Sequence, residues 1–164
     1  MSQPLHKELN PIKEAANPIV GSTPSKLTGK NGQELLKETL AMMMALQQLH
    51  QVAHWNTGDY QLHLLFQRLY ESLDAEIDTL AEKIVTLFGP TAITGPENVA
   101  RMKKWIDDWR NNLINGEKDL QAALKYTYDY LKKTGDLTLG MDDFLMATAN
   151  NHETNIYLLT RFAG

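Results

Sequence analysis

Eight apolar residues, Leu62, Phe66, Leu69, Leu73, Ile77, Leu80, Ile84 and Leu87, follow one another at gaps of 4, 3, 4, 4, 3, 4 and 3. Such a run returns every side chain to one stripe of an α-helix, the seam along which long helices pack side by side. A strand cannot use it, because strand side chains alternate with period two. The spacing therefore predicts a long helix from about Tyr60, stopped by Gly89-Pro90, and a fold made of such helices.

The flanking segments fit that frame. Asn31-Gly32-Gln33-Glu34 has the form of a capping box and opens an apolar-periodic run lasting to about Trp55, which predicts a first helix. Asn56-Thr57-Gly58-Asp59 reads as the turn between the first two helices. A Gly/Pro-containing connection with a short helix near Glu97 to Met102 follows. A third long helix is expected over Trp105 to Lys133, weakened by Gly116, and a fourth over Met141 to Phe162 after a turn bracketed by Gly135-Asp136 and Gly140. Nothing reads as a strand. The expected fold class is all-α, a four-helix bundle spanning residues 31–164 with one short extra helix between the second and third.

Residues 1–30 are different in kind. They hold Pro4, Pro11, Pro18 and Pro24, and Lys7, Lys13, Lys26 and Lys30 against Glu8 and Glu14. This predicts a flexible, mildly basic N-terminal tail. The chain as a whole carries a net charge of −4 with a pI near 5.7, the wrong sign for strong counterion-release binding to nucleic acid, so weak or no DNA binding is expected. With no run of about 20 apolar residues and no charged-then-apolar leader, the reading is a cytoplasmic chain that does not insert in a membrane. There is no cysteine. Thiol catalysis, Cys-based zinc sites and iron–sulfur clusters are excluded, and any metal must be held by His and carboxylates.

The second helix carries candidates for that role. Asp74, Asp78 and Glu82 recur at four-residue intervals and form an acidic ridge. Taking His63 as zero and 100° per residue, they fall near about 20°, 60° and 100°, on the same broad side of the helix as the histidine. They share a side but not a place, because the fifteen residues from His63 to Asp78 span about 22 Å. Metal–ligand bonds are only about 2 Å long. Within one chain the ridge is either a solvated surface or half of a site completed by a second subunit across a two-fold axis.

The run "HWN", a glycine two residues later, and then "YQLHLLFQRLYESLDAEIDTLAEKI" resembles the signature of the Dps family, the mini-ferritins, and the likeness extends loosely from residue 31 to the final "YLLTRF". The resemblance implies a ferritin-like bundle, two-fold dimers assembled into a homododecameric shell, and oxidation of iron(II) by hydrogen peroxide or oxygen at intersubunit ferroxidase sites, with iron stored inside. Carried over by position, it makes His54 and His63 the histidine ligands and Asp78 and Glu82 the carboxylates supplied by the partner. Asp74 and Gln67 are then outer ligands or part of an iron entry ridge. Gln67 stands where the family commonly has an aspartate, and the segment between the two histidines is a few residues shorter than usual. Zinc takes similar donors and is a substitute for iron. Trp55 is implied to be an oxidisable neighbour, and its other reading is a packed aromatic at a helix end. A noncatalytic shell or a DNA-compacting protein without effective iron oxidation is the alternative function.

Other polar positions invite plainer expectations. His50, four residues before His54, lies among Gln47, Gln48 and Gln51 and is expected on a polar helix surface. His152 falls on the inward stripe of the last helix, between Leu145, Ala149, Ile156 and Leu159, and is expected to be a hydrogen-bonded core histidine. Glu82-Lys83-Ile84-Val85 lacks a histidine three residues after the glutamate, so a di-iron centre inside one bundle is not expected. Met42-Met43-Met44 reads as core filling, and Trp105, Trp109, Tyr126, Tyr128 and Tyr130 as packing of the third helix or an interface.

Overall fold

A computed structural model describes residues 27–163, and the expected tail through residue 26, with His6, lies outside the described residues. The described residues form five helices and no strand: α1 (Gly32–Asn56), α2 (Tyr60–Phe88), α3 (Gly95–Trp109), α4 (Leu113–Thr134) and α5 (Leu139–Ala163). It is an all-α bundle. α1 packs against α2, α3 and α4, while α5 packs against α4 and, more lightly, α2.

Being surrounded on three sides explains why α1 buries so many of its residues, Leu35, Leu36, Met42, Met43 and Leu46 among them. The methionine run is core, as its flexible thioethers suit an irregular gap. On α2 the stripe is buried at Leu62, Phe66, Leu69, Leu73, Leu80 and Ile84, whereas Ile77 is half-buried and Leu87 is exposed near the helix end. Each fully buried Leu or Phe contributes about 1.5–3 kcal/mol relative to exposure, so this one stripe supplies a large part of the apolar drive for folding.

Local signals set the helix ends. Asn31 accepts a hydrogen bond from the Glu34 amide at 2.9 Å, but Glu34 turns its own carboxylate to Lys37 and Arg101 instead of closing the box. Gly89 ends α2 at φ 100° and Gly135 ends α4 at φ 79°, both conformations that favour glycine. Gly140 lies within α5 and not in the turn before it.

The short helix expected near Glu97 to Met102 is the body of α3, which runs on through the expected start of the third long helix, so that long helix begins only at Leu113. α3 is 15 residues long and owns both Trp105 and Trp109, and α4 restarts after Arg110–Asn112, where Asn112 accepts from the Asn115 amide at 3.0 Å. The break lets α3 lie along α1 while α4 turns into the bundle. It is held by burial of Trp105 and Trp109, by a Trp109 indole N–H donated to Asp119 at 2.8 Å, and by Lys37–Glu97 and Arg101–Glu97 ion pairs at 2.9 Å.

The chain enters the bundle at a fixed point. The amides of Thr28 and Gly29 both donate to the buried Glu38 carboxylate at 3.0 Å, and Leu27 packs on the core. Two backbone donors and Lys104, at 3.6 Å, satisfy a carboxylate that is otherwise costly to bury.

Candidate functional site

The link between α1 and α2 is only Thr57–Asp59. Asp59 caps α2 by accepting from the amides of Gln61 and Leu62 at 2.8 and 3.0 Å, and the Thr57 amide closes the last turn of α1 onto Ala53. Two helix ends are thereby clamped side by side, with His54 on one and His63 on the other.

The histidines hold each other reciprocally. His54 Nδ1 lies 2.8 Å from the His63 carbonyl oxygen, and His63 Nδ1 lies 3.0 Å from the His54 carbonyl oxygen. A carbonyl only accepts, so both Nδ1 atoms carry protons, and in the neutral rings each Nε2 presents a lone pair. The His54 carbonyl belongs to the last turn of α1, where helix geometry leaves it without an internal partner, so His63 also caps α1. The rings stack with centroids 3.8 Å apart and planes 27° apart, and Tyr70 meets His54 edge-on at 5.3 Å. Backbone carbonyls that orient imidazoles in this way are a common support for metal-ligating histidine.

Trp55 is 66% exposed and makes no ring contact with the histidines among the described residues. Tyr60 and Leu64, in the first two turns of α2, are exposed as well.

The carboxylates stand elsewhere on α2. Asp74, Asp78 and Glu82 are exposed; Asp74 accepts from Gln47 Nε2 of α1, and Asp78 and Glu82 make no ion pair among the described residues. Gln67 donates to Glu71 at 2.9 Å, so its amide is engaged along its own helix. Since α2 is one continuous helix, the separation of about 22 Å between His63 and Asp78 holds. The fold brings His54 and His63 together and does not bring Asp74, Asp78 or Glu82 to them. Among the described residues no group of three or more His, Cys, Asp or Glu is placed to hold a metal ion.

A second polar cluster lies in the bundle core, with one side chain from each of α1, α2, α4 and α5. His50 Nε2 meets Glu117 Oε1 at 2.8 Å, His152 Nδ1 meets Glu117 Oε2, and His152 Nε2 meets Glu76 Oε2 at 3.1 Å. His50, Glu117 and His152 are fully buried, and Asn155 donates to Glu117 at 3.5 Å. This corrects the expectation for His50, which faces inward while Gln48 faces out; His152 is the core histidine that its stripe implies.

Burial alone would raise the Glu117 carboxyl, but the His152 charge and the hydrogen bonds from both histidines outweigh it and hold the group at about 2. Burial alone would lower His152, but Glu117 and then Glu76 outweigh it and push the imidazole up to about 10. Acid and base alternate along a line, His50, Glu117, His152, Glu76, instead of converging on one point. The cluster is therefore an ionised clamp that ties four helices together. Glu76 and Glu117 went unpredicted; the signal was available in Glu117, which shares the inward stripe of Leu113, Leu120 and Leu124, where a lone carboxylate needs a basic partner.

No family model matches the chain, and no curated protein matches it.

Proposed function

We propose that the protein is a Dps-like ferroxidase and iron-storage protein, with a ferritin-like bundle acting as a symmetric assembly. The observation that carries this reading is the reciprocal His54–His63 pair, because it leaves two imidazole nitrogens free, fixed and adjacent at one end of α2. Two nitrogens are an incomplete coordination set. In a two-fold dimer the partner's α2 presents its opposite end, bringing a second copy's Asp78 and Glu82 to this pair and repeating the site symmetrically. Imidazole with carboxylate accommodates iron(II), and the anionic oxygens offset the extra charge when it becomes iron(III). Oxidation by hydrogen peroxide or oxygen then removes iron(II) and oxidant together. Iron is the substrate and zinc a competing occupant.

The exposure of the large apolar side chains Trp55, Tyr60 and Leu64, close in sequence to the pair, supports a surface covered on assembly, for which a dodecameric shell is the reading the resemblance favours. No described helix is long and apolar enough to cross a membrane, consistent with the proposed cytoplasmic setting.

The alternative, a noncatalytic or DNA-compacting shell, is favoured by one observation: Gln67 is neutral and tied to Glu71, so one expected metal position lacks an anionic ligand. Anaerobic iron(II) titration followed by peroxide separates the readings. Saturable binding and accelerated oxidation, both reduced by His63→Ala, are expected; neither appearing would overturn the ferroxidase reading.

A further inference from the structure

Met42 and Met43 are fully enclosed, but their neighbour Met44 is only half-buried and turns its sulfur toward α3. There the side-chain amide of Asn98 donates to Met44 Sδ at 3.1 Å and to Met102 Sδ at 3.7 Å. Asn98 and Met102 stand one helical turn apart on α3, and Met44 reaches them across the contact between α1 and α3. Two thioethers from different helices thus converge on one amide nitrogen. Thioether sulfur is a weak acceptor, and leucine fills such a seam as well as methionine does. Packing alone therefore calls neither for sulfur at both positions nor for an amide N–H shared by them.

We propose that Met44 and Met102 form a binding site for a soft monovalent metal ion of the copper(I) class, with the Asn98 amide as a third donor. The positively polarised N–H group already occupies the place that such an ion would take against the sulfur lone pairs. Polarisable thioethers select copper(I) over harder ions. All three donors are neutral, so the charge brought into this seam is that of the ion alone, and a monovalent ion costs less to desolvate than a divalent one. A half-turn of the Asn98 amide exchanges its nitrogen for its oxygen, which accepts where the nitrogen donates. Asn98, Met44 and Met102 are all half-buried, so the site lies at the edge of the seam and not within the closed core. The donor set differs from the imidazoles and carboxylates proposed for iron, and the inference is independent of that reading.

The test uses the full chain with isotopically labelled methionine methyl groups, titrated with silver(I) nitrate, a redox-inert stand-in for copper(I), in chloride-free buffer. The methyl resonances of Met44 and Met102 should shift together and saturate near one silver(I) per chain, while that of the exposed Met146 stays in place. Met44→Leu and Met102→Leu conserve volume and should leave the fold intact. Each should weaken binding by about tenfold or more, since even groups outside the ligand shell are worth that much to metal affinity. Copper(I), added anaerobically in competition with a chromogenic chelator, should rank the variants in the same order. His63→Ala should leave the methionine shifts unchanged, which separates this site from the histidine pair. The proposal is overturned by unmoved Met44 and Met102 signals, by a Met146 shift over the same silver range, by undiminished binding in both leucine variants, or by loss of the shifts in His63→Ala.

Discussion

His152 stands between two carboxylates, and its behaviour with pH follows from that position. Glu117 from α4 and Glu76 from α2 face it, His50 of α1 lies beyond Glu117, and Glu153 is engaged by Gln121. Glu117 sits at about 2 in the fold against an ordinary value of 4.5, so its contribution is present above 4.5 and is lost as pH falls toward 2. His152 sits at about 10 against 6.5, so its contribution is complete below 6.5 and is lost as pH rises through 10. Both are complete only from 4.5 to 6.5. The melting temperature should therefore peak in that window and fall on the alkaline side, and His152→Gln should flatten the alkaline limb. Removing one partner of such a buried pair costs about 3–5 kcal/mol, measurable by denaturant unfolding. An alkaline limb identical in the variant would contradict the clamp. At this scale the sequence is read well where a stripe is apolar, as around His152. It misleads where faces interleave: Gln47, Gln48 and Gln51 surround His50 in sequence, but a turn of 100° per residue sends His50 inward.

At the scale of elements, α1, α2 and α5 begin and end within about two residues of the sequence expectation, because caps, glycines and a long periodic stripe all agree there. The boundary between the short helix and the long helix after it is expected before Trp105, since Trp105, Trp109, Leu113 and Leu120 keep helical spacing across the break. The spacing belongs to two helices that share one core, and only the Asn112 cap marks the division. Gly116 is likewise more than a weak point. A Cβ there would stand 2.7 Å from Leu46 Cδ2 and 3.1 Å from the Trp109 ring. Helix propensity alone says Gly116→Ala gains about 1 kcal/mol, but overpacking a buried contact costs about 1–3 kcal/mol. With Leu46 and Trp109 both fully enclosed, the steric cost dominates. The variant should be destabilised by roughly 1 kcal/mol in urea unfolding, and a stabilised variant would show that α3 can shift away from α4 freely.

For the whole molecule, half of the candidate site was legible and half was not. The adjacency of His54 and His63 follows from a short turn between two helices, and their mutual backbone hydrogen bonds give it a geometry no sequence pattern specifies. The carboxylates are a different matter, since one straight helix keeps Asp78 about 22 Å from His63. No rearrangement within a single folded chain joins them, so the proposal stands or falls on a second copy. Complementation tests this most directly. A His63→Ala chain paired with an Asp78→Ala chain places both lesions in one of the two symmetric sites and leaves the other intact. Neither pure mutant retains an intact site. Differently tagged chains, coexpressed and purified as mixed dimers with assembly checked by light scattering, should recover about half of wild-type iron(II) binding and initial oxidation rate, as two-fold symmetry requires. Mixed dimers that assemble normally yet stay as inactive as either parent would contradict the shared site and leave the acidic ridge of α2 as a solvated surface.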